Sequence, residues 1–182
     1  IDYKLYGEEM QFVEIELDQN ETAIAESGSM MMMDDGIQME TIFGDGSAQQ
    51  PTGFFGKLVS AGKRVLTGES LFMTAFTNTA GGKRKVSFAA PYTGKIIPMD
   101  LQQLGGTIIC QKDAFLCAAK GVSVGLHFQR KLGVGIFGGE GFIMQKLEGD
   151  GMAFLHAGGY IVEKELKAGE ILKIDTGCVV GY

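Results

Sequence analysis

Apolar and polar residues alternate where the chain first becomes regular: Val13, Ile15 and Leu17 stand either side of Glu14 and Glu16. A period of two puts the apolar set on one face and the carboxylates on the other, which predicts a strand half in a core and half in water. Residues 18–21 supply a turn and residues 22–26 lead to Gly28. Met30–Met33 then form an unbroken apolar run, closed by Asp34, Asp35 and Gly36. Such a run predicts a strand, and two readings of its surroundings stay open. Methionine is a pliable core filler, so the strand can be buried on both faces. Alternatively, Met30, Met31, Met32 and Met33 are a contact surface for another subunit or an amphiphile.

The pattern then returns. Gly36-Ile37-Gln38-Met39 is matched 85 residues later by Gly121-Val122-Ser123-Val124, and the same offset lays Met30, Met31 and Met32 on Phe115, Leu116 and Cys117. Gly68-Glu69-Ser70-Leu71-Phe72-Met73 is echoed by Gly139-Glu140-Gly141-Phe142-Ile143-Met144 at an offset of 71, so the first copy carries a loop longer by 14 residues. That loop, residues 44–62, is rich in Gly, Ser, Gln and Pro and has Phe54 and Phe55 at its tip. A paired aromatic there either anchors the loop or, if exposed, makes an interaction site. A third match lays residues 17–31 on residues 166–180 at an offset of 149, sharing Leu17 with Leu166, Glu21 with Glu170 and Gly28 with Gly177. Leu104 and Asp113 stand 62 before Leu166 and Asp175, which extends the alignment to the middle of the chain.

Self-similarity of this kind constrains architecture before any single residue does. The expectation is an all-β protein, a tandem-repeat β-sandwich or double-stranded β-helix-like arrangement forming one domain over residues 1–182. Its units cover about residues 11–100, about 101–163 and, in part, 164–182. No long helix is expected, at most a helical turn near residues 57–66. A repeat that stops inside its third unit leaves a sheet edge open, to be covered by residues beyond this sequence or by another subunit.

Composition adjusts this picture in a few places. Gly at 28 of 182 positions with Pro at only 3 fits tight turns between short strands. A formal charge of -6 sets the body against phosphate surfaces, so DNA is not expected as a partner and RNA is disfavoured. The short basic stretches Lys63-Arg64, Lys83-Arg84-Lys85 and Arg130-Lys131 read as solvated turns, or as an anion-binding rim if loops bring them together. Three cysteines, Cys110, Cys117 and Cys178, with no CxxC pair and no apolar leader, predict a reducing, cytoplasmic setting. No apolar run approaches the roughly 20 residues of a spanning helix.

Candidate chemistry is sparse. Residues 133–138 satisfy GxGxxG, but a dinucleotide site needs a helix after the motif, and residues 140–147 read as strand. A cupin-like metal site needs clustered histidines, whereas His127 and His156 stand 29 apart. His127 alternates with Leu126 and Phe128 and reads as a solvated surface residue; His156 reads as a strand-end residue satisfied locally. Ser70 lacks an elbow motif, and Cys110 and Cys117 sit among apolar neighbours where thiols are inert. Glu69 with Glu140, and Asp113 with Asp175, recur at equivalent positions and read as turn and edge residues. The expectation is a protein that is not an enzyme, with no cofactor and no metal.

Six blocks carry a resemblance: MMMMDDGIQMET, LTGESLFMTAFT, VSFAAPYTGKIIPMDL, CQKDAFLCA, FGGEGFIMQKLEGDG and IDTGCVVGY. In this order, over residues 5–182, they look like the "altered inheritance of mitochondria" family. The resemblance implies a repeated β fold similar to the tryptophan RNA-binding attenuation protein, with subunits joined as trimers. It also implies a link to membrane organisation, through the family's fungal mitochondrial relative, and it supplies no catalytic residues. The combined expectation is a homo-oligomeric β scaffold or binding protein with a protein or membrane-surface partner. An RNA or other anionic ligand on a sheet edge is the main rival, and a cupin-like metalloenzyme a distant third.

Overall fold

In the computed structural model the described residues are 1–43, 72–130 and 142–182. They contain β1 (Asp2–Tyr6), β2 (Phe12–Leu17), β3 (Thr22–Glu26), β4 (Met30–Met33), β5 (Ile37–Phe43), β6 (Phe72–Asn78) and β7 (Arg84–Ala89). There follow β8 (Lys95–Asp100), β9 (Thr107–Gln111), β10 (Phe115–Ala119), β11 (Ser123–Arg130), β12 (Phe142–Glu148) and β13 (Met152–Ala157). Among the described residues the only helical pieces are two three-residue 3-10 turns, Lys112–Ala114 and Thr176–Cys178. The all-β class expected from the alternation is the class adopted. The helical turn expected near residues 57–66 lies outside the described residues.

The strands form three antiparallel sheets, ordered β1-β2-β7-β4, β5-β6-β3-β10-β13-β8 and β11-β12-β9. The triplet β8-β13-β10 repeats the order of β2-β7-β4, and β11-β12-β9 repeats β5-β6-β3, each strand standing six places after its counterpart. The two halves join where β3 pairs β10, through Ala23↔Ala119, Ile24↔Ala118 and Ala25↔Cys117. Two core clusters form, and each draws residues from both halves. Val13, Ile15, Leu17, Phe76, Val86 and Phe88 lead the first cluster, and Leu101, Ile108, Val122, Val124, Leu147 and Leu155 the second. Burial along β2 alternates as its sequence does, with Val13, Ile15 and Leu17 inside. Each such side chain removed from water stabilises the fold by roughly 1.5–3 kcal/mol.

Three expectations are corrected. Leu104 is exposed and is not the counterpart of Leu17; the fully buried residue is Leu101. The Leu101 carbonyl accepts from the amides of Leu104 and Gly106, closing a turn that throws Leu104 to the outside. Residues 160–175 form no strand, and their apolar side chains lie open, with Tyr160 94% and Ile171 88% exposed. Only the end of this segment pairs: the amides of Ile109 and Gln111 donate to Tyr182 (2.8 Å) and Val180 (2.9 Å). The Cys110↔Gly181 bridge has the same antiparallel sense. Finally, Met30–Met33 is not buried on both faces. Met30 packs against the first core, but Met31, Met32 and Met33 are exposed, Met32 by 47%. The physical reason is position: β4 is the last strand of its sheet, and no described strand covers its outer edge.

Candidate functional site

The β3–β10 junction sets the end of β3 beside the start of β10, and a cavity of about 260 Å³ opens there. Glu26 closes β3 and is followed round the turn by Ser27, Gly28 and Ser29, all lining the cavity. Gly28 takes a left-handed φ of 88°, a conformation that favours glycine, and the Ser29 hydroxyl donates to the Glu26 carbonyl at 2.8 Å. Asp113 enters from the 3-10 turn before β10, Phe115 and Leu116 from β10 itself, Ala89 and Pro91 from the end of β7 and its exit, and His156 from β13. Ser27, Gly28, Pro91 and Asp113 are exposed at the mouth, whereas Phe115, Leu116 and His156 are buried at the inner wall.

The electrostatics here are uneven. Burial pushes the Glu26 carboxyl above its ordinary range, the negative charge of Asp113 pushes it further, and Lys112 offsets part of this. His156 is 1% exposed and, among the described residues, neither ring nitrogen has a hydrogen-bond partner. Burial lowers its pKa; the Tyr92 backbone is near enough to favour the charged ring a little, without reaching hydrogen-bonding geometry with either nitrogen. The Tyr92 ring stands edge-on to it at 4.4 Å between centroids. His156, expected to be satisfied locally, has the Tyr92 backbone and ring beside it and shares its cavity with Glu26, Asp113, Phe115 and Leu116. Asp113, expected as a turn residue, is one, and it also faces Glu26's charge. Among the described residues no group of three or more His, Cys, Asp or Glu is placed to hold a metal ion.

The other residues singled out by sequence do not come together at this cavity. Met31, Met32 and Met33 lie along the outer edge of sheet β1-β2-β7-β4. Phe54, Phe55, Ser70, Glu69, Glu140 and the motif at 133–138 lie outside the described residues. His127 is exposed, where a bulge between Leu126 and Phe128 interrupts the β11–β12 register. Cys110 and Cys117 are buried; burial pushes the first up to about 12 and the second well above the usual thiol value. In the basic stretch 83–85, Lys83 is held by Glu16 at 2.6 Å and Lys85 by Glu14 at 2.8 Å, and the Arg84 guanidinium donates to the Asp35 carbonyl. Pairing with Glu16 and Glu14 raises both lysine pKa values, so these charges are already engaged. Sequence reasoning missed Glu26 and Ser29. Their only signal was the match of residues 26–28 to 175–177, which marked a turn rather than a cavity.

Antiparallel strand triplets used in the same order in both halves, with a largely apolar cavity carrying two carboxyls at their junction, define an all-β protein of paired sheet units. Residues 3–182 match the family described as mitochondrial biogenesis AIM24, and the chain belongs to that family. A crystal structure of the Streptococcus pyogenes protein SPYM3_0169, a structural-genomics target, is similar in fold at a TM-score of 0.60 and 21% identity. The match covers 87% of this chain and 65% of that one, so the chain spans less than two thirds of that protein's length. No curated protein matches.

Proposed function

We propose that the protein is a non-enzymatic, self-associating β scaffold built from tandem copies of one unit, and that the outer edge of β4 is where another copy of the chain docks. The observation that carries this is the difference between two equivalent strands. β10 has β3 along its outer edge, whereas β4, six places earlier, has no strand there among the described residues, and Met31 and Met32 are exposed beside it. An unpaired edge with apolar side chains is a template for strand addition. Residues 160–175 supply a matching need, since Tyr160, Val162, Ile171 and Ile174 are exposed on a segment that, among the described residues, pairs with no strand before Val180. The register supports the copy reading. Gly181 meets Cys110 as Cys117 meets Ala25, and the repeat offsets of 85 and 149 relate these positions.

Light scattering across a range of concentrations tests the proposal. A multiple of the chain mass is expected, three copies being the number that the family resemblance implies. Met31→Lys with Met32→Lys should release monomers of unchanged fold, because edge lysines oppose strand addition. A chain that is monomeric at every concentration sinks the proposal. The exposed methionines also favour a second reading, attachment to a lipid surface. Co-sedimentation with vesicles that the same double variant abolishes supports it, and equal sedimentation of both proteins removes it.

A further inference from the structure

We propose that the cavity at the β3–β10 junction binds a small primary alkylammonium ion, with Glu26 and Asp113 as its anionic wall, Phe115 and Leu116 as its apolar wall, and His156 as the polar group at its inner end. The ligand class follows from what the walls reward and penalise. Two carboxyls on one small cavity repel anions, and a purely apolar guest strips water from Glu26 without giving it a partner. A divalent metal needs several oxygen ligands, and among the described residues no group of three candidate ligands converges there. An ammonium needs less: a carboxylate or two, an acceptor, and an apolar surface for its carbon chain. Each of these is present. Ser29, whose hydrogen is committed to the Glu26 carbonyl, has lone pairs free to accept.

His156 is the independent sign that something is missing. A buried imidazole with neither nitrogen paired forfeits about 1–3 kcal/mol, a cost natural interiors rarely carry without a reason. In its neutral form one nitrogen is an acceptor, and an N–H donor arriving from the cavity side satisfies it. Size limits the guest. At about 260 Å³ the cavity falls just short of the usual range for small-molecule sites, about 300–1,000 Å³, which suits a short-chain amine. Glu26 adds a direction: its carboxyl is raised by burial and by Asp113, so an arriving cation favours its ionised form.

Calorimetric titration of the intact chain with n-butylamine, and with n-butanol as its neutral counterpart, tests this at neutral pH and low salt. The amine should bind saturably and the alcohol should not. Glu26→Gln should weaken the amine about tenfold or more. Asp113→Asn, at an exposed position where folding is not at stake, should weaken it by a smaller factor. Equal binding of alcohol and amine would make the cavity an apolar hole only and overturn the proposal. So would an absence of saturable binding, or an affinity unchanged in Asp113→Asn and in a folded Glu26→Gln. None of these outcomes depends on the oligomeric state.

Discussion

Glu26 and His156 line one cavity yet answer acid in opposite ways. The His156 pKa is lowered from 6.5, so between its depressed value and 6.5 the unfolded chain takes up a proton that the folded chain refuses. Its contribution to stability therefore rises with pH through that window and is complete above it. The Glu26 pKa is raised from 4.5, so the folded chain holds the proton longer. Its contribution is full below 4.5 and is lost as pH rises through the raised folded value. Urea midpoints across pH check both signs. His156→Phe should remove the loss of stability on acidification below the ordinary histidine range, and Glu26→Gln should raise the midpoint at neutral pH. Thiol labelling gives another residue-scale test. A maleimide should modify Cys178 alone in the native protein and all three cysteines after unfolding, because Cys110 and Cys117 are buried and held as thiols. The inert cysteines could be read from their apolar neighbours. The cavity could not, because Glu26, Asp113 and His156 are up to 130 positions apart in sequence and meet only through the β3–β10 register.

At the scale of elements, the turn between β6 and β7 hangs on one side chain. Asn78 is fully buried, its Nδ2 donates to the carbonyls of Leu17 (2.9 Å) and Gly82 (2.8 Å), and its Oδ1 accepts from the Ala80 amide (3.0 Å). Asn78→Ala should cost about 3 kcal/mol by urea unfolding, since it leaves a buried carbonyl without a donor. The β12–β13 turn depends on Gly149, whose φ is 150° and where an added Cβ would lie 2.5 Å from the Gly121 carbonyl oxygen. Gly149→Ala should cost roughly 2 kcal/mol in the same assay. Sequence made these turns legible through their glycines and the strand β2 through its alternation. It could not decide the burial of Met30–Met33, because four identical residues carry no alternation and their exposure depends on whether a neighbour lies across the edge. Leu104 misled for a similar reason: the right letter falls three places beyond the residue that packs, Leu101.

For the whole molecule, the sequence pattern anticipated an all-β chain, and the three antiparallel sheets bear out that class. The resemblance added a self-association that the open edge of β4 makes physically reasonable and that solution mass will decide. Among the described residues no helix is long and apolar enough to cross a membrane. One further outcome lies in the seam between the halves, where Ala23, Ile24 and Ala25 pair with Ala119, Ala118 and Cys117 and both core clusters cross over. Every copy of the chain presents the same strand pairing and the same core side chains at this seam, so any β3 fits any β10. Two molecules that part at this seam together can close it crosswise, trading halves through the five-residue link at 90–94. Concentrated stocks should therefore accumulate an interlocked pair that survives dilution, separable by gel filtration from assemblies that simply stack.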